Sequence, residues 1–332
     1  MPMEKKLYPL KFVPQVFEKD WGLESLLLAD LGEAESEVAD GWLAGNGLSD
    51  LMQTYLERLA GETSFDYYGL QFPVALRRKE IRKGRRTSLW MNPDDETAEQ
   101  RYDCFGRTVL WFVEEADAEA TLWLGFRKEV AADEFYRRCL DGSLEEILHA
   151  VKPRKGDAFL IPPGTVYGAS GYLKLVEVSE SSDLFFRIHD WGAGKEIHLE
   201  EAFDLIRFGP WDHAACFHRS EGGKDVTEPL AECPQMAVTL FRVAEPVHIV
   251  QAEEADSFFL YHCLSGGALL QVPGGGQYRV GAGECVLVPD EVEDFFIVPD
   301  GSGTRLLEVL LPARQETDGY TGDSANVEPL EE

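Results

Sequence analysis

A chain of 332 residues with 44% hydrophobic side chains is long enough for more than one small core, and 60 acidic against 31 basic side chains give it a formal charge of −29. That charge excludes nucleic acid and anionic membrane as partners, and it would repel a sugar phosphate unless basic groups gather locally. The opening MPMEKKLYPLKF has no apolar run of signal-peptide length and no segment stays apolar for a membrane span, so the sequence reads as cytoplasmic.

Taken in order, Tyr8 to Trp21 alternates apolar and turn residues as an edge strand would, and Leu48, Leu51, Tyr55, Leu56 and Leu59 recur at helical spacing behind Ser49 as N-cap, ending near Gly61. Phe72 to Ser88 holds Arg77, Arg78, Lys79, Arg82, Lys83, Arg85 and Arg86 against the single acid Glu80. This basic run reads either as an anion site or as a solvated strand face paired with acids, and the second is the commoner use of such runs. Strand-like runs follow at Ser88–Asn92 and Thr108–Val113. Residues 133 to 150 then read as a helical insertion, with Asp133 and Ser143 as caps and Leu144, Ile147 and Leu148 as its buried stripe.

Strands resume at 157–161, 173–178 and 184–188, a helix is expected over Glu196–Phe208, and Pro210-Trp211 marks a boundary. From Met236 onwards short β runs are divided by Gly, Pro and Asp. Among them Gly283-Glu-Cys-Val-Leu-Val-Pro289 repeats the G-x5-P spacing of Gly156 to Pro162, so the chain reads as two copies of one barrel. The expected division is 1–210, 211–312, and a polar, acidic, mobile tail over 313–332. Six cysteines (Cys104, Cys139, Cys216, Cys233, Cys263 and Cys285) are scattered without a C-x-x-C pair, as free thiols are.

Gly156 to Tyr167, GDAFLIPPGTVY, reads as strand, turn and strand, and its spacing resembles the second half of a cupin motif. With YPLKF at 8–12, NPDDETA at 92–98, GRTVLWFV at 106–113 and SDLFFRIHDWG at 182–192, the whole chain resembles the short bacterial type I phosphomannose isomerases. The resemblance implies a mainly β fold of two cupin jelly-roll barrels with a helical insertion in the N-terminal half. It also implies interconversion of mannose 6-phosphate and fructose 6-phosphate at a zinc ion held by a glutamine, two histidines and a glutamate. Carried over residue by residue, those four positions are Trp90, Asn92, Val109 and Tyr167, so no metal cofactor is expected here.

The resemblance places Arg187 beside the sugar and Glu177 on a neighbouring strand, as candidate catalytic residues or as a buried ion pair. Trp90, Asn92, Tyr167, His189 and Lys195 are the candidate substrate-binding residues. His189 follows Arg187 by two positions and is expected on the same strand face. Three functions compete. The favoured one is a metal-free carbohydrate or small-anion binding homologue. The second is an isomerase that has relocated its metal or uses Glu177, His189 and Arg187 as acid–base groups. The third is a structural or partner-binding barrel filled by Trp90, Trp111 and Tyr167.

Overall fold

The computed structural model describes residues 5–217, 227–251, 256–301 and 303–312. The acidic tail expected over 313–332 lies outside the described residues. The N-terminal part runs β1 (Gln15–Lys19), β2 (Gly22–Leu28), α1 (Leu48–Tyr55), α2 (Glu57–Ala60), α3 (Glu62–Tyr68), β3 (Val74–Ile81), β4 (Leu89–Met91) and α4 (Asp95–Tyr102). It continues with β5 (Val109–Ala116), β6 (Thr121–Phe126), α5 (Ala132–Asp141), β7 (Leu148–Val151), β8 (Ala158–Ile161), β9 (Tyr167–Ser170), β10 (Leu173–Glu180), β11 (Phe186–His189), α6 (Leu199–Ala202) and β12 (Cys216–Phe217). Among the described residues the C-terminal part is β only: β13 (Thr227–Cys233), β14 (Met236–Val243), β15 (Val247–Val250), β16 (Phe259–Ser265), β17 (Gly267–Val272), β18 (Gly276–Gly281), β19 (Cys285–Val288), β20 (Asp294–Pro299) and β21 (Thr304–Leu310).

The fold is mainly β, as expected. The strands form a seven-stranded sheet β1-β2-β3-β10-β5-β8-β12, a five-stranded sheet β11-β4-β9-β6-β7, a second five-stranded sheet β13-β14-β21-β16-β19 and a four-stranded sheet β15-β20-β17-β18. The order β3-β10-β5-β8 recurs as β14-β21-β16-β19, and β4-β9-β6-β7 as β15-β20-β17-β18. The repeated G-x5-P motif therefore falls at equivalent places, before β8 and before β19. Both of its glycines, Gly156 at φ +94° and Gly283 at φ +86°, occupy the left-handed region where a Cβ is disfavoured.

Side-chain alternation explains the layering. In β5, Val109, Trp111 and Val113 join one apolar cluster with Ile81, Leu122, Leu124, Phe159, Tyr167 and Leu175, between the seven-stranded sheet and its partner. Leu110 and Phe112 face the other way, into a cluster shared with α1, α2, α3 and with Leu240, Leu260, Leu287 and Leu307 of the C-terminal sheet. Burial on both faces turns β5 into a continuous apolar run, and each fully buried Leu or Phe contributes about 1.5–3 kcal/mol. The second sheet pair closes over Tyr261, Leu270, Phe295 and Ile297. α5 and α6 cover the outer face of the β4–β6 sheet through Phe135, Leu199 and Ala202.

Several elements differ from expectation. The helix over 48–61 breaks at Leu56, φ +49°, and its N-cap is Gly47, because the backbone N–H and hydroxyl of Ser49 both donate to Glu35. Of the 133–150 insertion, 132–141 is helix and Leu144–Glu146 a 3-10 turn, while Leu148 opens strand β7 beside β6. The helix expected over 196–208 holds only α6 and the 3-10 turn Phe203–Leu205. β12 pairs with β8, so the first large sheet runs beyond Pro210. No helix among the described residues is long and apolar enough to cross a membrane.

Candidate anion-binding site

β3 sends Arg77 and Lys79 to the inner side of the seven-stranded sheet, on the parity of buried Ile81. Directly opposite Arg77 on β10 is Glu177, and opposite Glu177 on β5 is Trp111, so the three side chains share one face. Arg107 arrives from the turn just before β5. The Glu177 carboxylate is fully buried, and it accepts from Arg107 Nη2 at 2.8 Å, from Trp111 Nε1 at 2.7 Å and from Lys79 Nζ, with Arg77 Nη1 3.6 Å away. Burial by itself would raise the pKa of this carboxyl. Lys79, Arg107 and Arg77 override it and hold Glu177 well below the usual carboxylate range.

Glu24 and Asp183 also act on Arg77 and Arg107, so the floor is largely compensated, and with Glu177 counted the pocket as a whole sets six cations against four carboxylates in a strongly acidic chain. Above the floor opens a cavity of about 360 Å³, walled by the aromatic side chains of Trp21, Trp90 and Tyr167. Its other charged residues are Lys19, Arg187 and Lys195 against Asp20, Glu24 and Asp183. Lys79 lies 5.5 Å from the Trp90 ring and 3.7 Å from Glu24, and Lys195 bridges to Asp20 at 2.6 Å across the mouth. The Nε groups of Arg107 and Arg187 are buried without an acceptor, so both guanidinium groups retain donor capacity.

Arg187, Trp90, Tyr167 and Lys195 line this cavity. Arg187 pairs with neither Glu177 nor Asp183; its Nη1 donates to the Glu196 carbonyl at 2.7 Å. Glu177 lies beneath the cavity as a sealed counter-ion and makes no contact with Arg187. Asn92 is buried behind the Tyr167 ring, with Nδ2 3.1 Å from Tyr167 Oη. His189 is not on the Arg187 face. A bulge between them pairs Arg187 with Trp90 and His189 with Leu89, which sends the imidazole outward against Trp191 at 5.0 Å.

The basic run is divided by the same alternation. Arg77 and Lys79 point inward, Arg78 pairs with Glu114 at 2.8 Å, Arg82 with Glu18 at 3.1 Å, and Arg86 lies over Trp191. The solvated-face reading therefore fails for Arg77 and Lys79, which are almost fully buried. Arg107 carries no flag in the sequence beyond its place beside the GRTVLW strand. The period-two pattern through Arg77, Lys79 and Ile81 is the signal that could have found the floor.

The residues at the four implied metal positions do come together. Trp90 and Tyr167 are register partners with ring centroids 6.0 Å apart, and Val109 lies in the same buried cluster. They do not fit zinc. Trp90 and Val109 carry no donor, Asn92 and the phenol are spent on each other, and burial pushes the Tyr167 hydroxyl up to about 12, keeping it neutral.

No family model matches the chain. It is 24% identical over 325 residues to the mannose-6-phosphate isomerase ManA of Bacillus subtilis, covering 90% of this chain and 96% of that one. The crystal structure of the mannose 6-phosphate isomerase from Bacillus subtilis superposes with a TM-score of 0.78 at 19% identity, over 91% of this chain and 99% of that one. A variant of phosphomannose isomerase from Salmonella typhimurium gives 0.73 at 14% identity, over 91% and 98%. The chain is similar in sequence to such a protein over nearly its full length, and it shares the cupin fold that its motifs implied.

Proposed function

We propose that this mannose-6-phosphate-isomerase-like chain binds a hexose phosphate in the Arg77–Lys79–Arg107 pocket and performs no metal-assisted isomerisation there. The observation that carries the reading is the surplus of cations at this pocket, where Arg77, Lys79, Arg107, Lys19, Arg187 and Lys195 outnumber Glu177, Asp20, Glu24 and Asp183. Desolvated positive charge left unbalanced is costly, and a dianionic phosphate at the cavity floor offsets it in a low-dielectric setting where each charge-assisted hydrogen bond is strong. Arg187 and Lys195 add donors at the wall and mouth, while Trp21, Trp90 and Tyr167 offer ring faces to the apolar side of a pyranose.

Aldose–ketose isomerisation needs a group to move a proton between adjacent carbons and a group to hold the charge that develops on oxygen. Glu177 is sealed and fixed in its ionised form, Tyr167 is held neutral, and His189 faces away. The zinc that the resemblance implies has no donor set at Trp90, Asn92, Val109 and Tyr167. Against the plugged-barrel reading, Trp90, Trp111 and Tyr167 still leave about 360 Å³ beside Arg187.

The test uses protein treated with EDTA and then assayed with and without added zinc. Titration calorimetry is expected to show hexose 6-phosphate binding in EDTA, and a coupled assay to show no interconversion of mannose 6-phosphate and fructose 6-phosphate in either condition. Zinc-dependent turnover sinks the proposal.

A further inference from the structure

The anion pocket does not end at its own wall. Leu31, Ala34 and Asp183 line it and also line a neighbouring cavity of about 850 Å³, so the two cavities adjoin across segments 30–34 and 181–185. The chambers differ in chemistry. The first holds all the cations, whereas the second has no Lys or Arg and sets Leu70, Phe105 and Leu184 beside Gln71, Ser181 and Ser182, whose donors go to backbone carbonyls and whose side-chain oxygens can still accept. A phosphate has a place only in the first, and the second suits an uncharged group rich in hydroxyls.

At the junction stands Asp183. It is exposed and its charge acts on Arg77 and Arg107, but its carboxylate makes no hydrogen bond among the described residues, so its oxygens remain open to hydroxyl groups. Size points the same way: 360 Å³ is near the lower end of the roughly 300–1,000 Å³ of small-molecule pockets and is filled by one sugar phosphate.

Resting on the anion-pocket reading above, we infer that the ligand is a disaccharide monophosphate. The phosphorylated ring sits on Arg77, Lys79 and Arg107, the second, neutral ring occupies the Ser/Gln chamber, and hydroxyls near the glycosidic link meet Asp183. Such a ligand also matches the chemistry of the first chamber. A sugar substituted at its anomeric carbon cannot open to a free aldehyde, so binding it calls for none of the proton-moving groups that isomerisation needs.

Titration calorimetry in EDTA tests this with cellobiose 6′-phosphate and trehalose 6-phosphate against glucose 6-phosphate and mannose 6-phosphate. At least one disaccharide phosphate is expected to bind about tenfold or more tighter than either monosaccharide phosphate. Leu70→Trp, at an exposed position that lines the second chamber alone and takes up room there, should erase that gain and leave the monosaccharide phosphates within about twofold of wild type. Asp183→Asn, a milder change, should narrow the disaccharide-to-monosaccharide ratio, a quantity in which any shared effect on phosphate cancels. Equal affinity of wild type for both classes, or a gain that survives both variants, overturns the inference and leaves the anion pocket standing. Failure of every phosphate to bind overturns both.

Discussion

Glu177 works as a counter-ion, and its neighbour three positions along β10 makes the opposite use of burial. Glu177→Gln leaves Arg77, Lys79 and Arg107 without their shared charge and should destabilise the protein by about 3–5 kcal/mol at neutral pH, measured by urea denaturation. Because its folded-state pKa lies below the ordinary 4.5, the stability it supplies is complete above that value and drains away as pH falls below it, so the wild-type advantage over this variant should shrink in acid. Glu180 is instead pushed up to about 8 from 4.5, by burial first and then by the charge of Asp95, although it accepts from Thr108 N–H at 2.6 Å. Here the folded state holds the proton more tightly, so stability falls as pH rises from 4.5 towards 8. Glu180→Gln should match wild type near pH 4 and exceed it by about 3–5 kcal/mol by pH 8. A variant with the same pH slope as wild type would contradict that assignment.

Strand parity turns one basic run into two kinds of residue. Lys79→Met should weaken hexose 6-phosphate binding by about tenfold or more, while Arg78→Met, one position away and paired with Glu114, should stay within about twofold, as read by calorimetry below the melting temperature. Equal losses would mean that the pocket is not built on this face of β3. The Pro-Pro-Gly turn between β8 and β9, the repeated G-x5-P spacing and the position of Arg187 were legible in the sequence because each is a local pattern. The pocket floor was not, because charge density drew attention to the run as a whole and hid its alternation. His189 was misplaced for a related reason, since one bulge in β11 reverses every parity argument beyond it. α4 was missed because its eight residues bury only Ala98 and so show no apolar stripe; Asp94, whose side chain accepts from Thr97 N–H, is its one sequence signal.

At the scale of the whole molecule, one apolar cluster joins both sheet pairs, with Leu76, Leu110 and Val176 from the N-terminal sheet against Leu240, Leu260 and Leu307 from the C-terminal one. Neither part can expose that face cheaply, so calorimetric unfolding should show a single transition, and two resolved transitions would contradict a shared core. The acidic chain keeps a cation-rich floor by enclosing its cations beneath aromatic walls, where solvent and salt screen them little. The most direct test of the account is titration calorimetry of wild-type protein in EDTA with mannose 6-phosphate and with mannose. The phosphate ester is expected to bind without metal and at least about tenfold more tightly than the neutral sugar. Equal affinity for the two, or phosphate binding that appears only when zinc is restored, would contradict it.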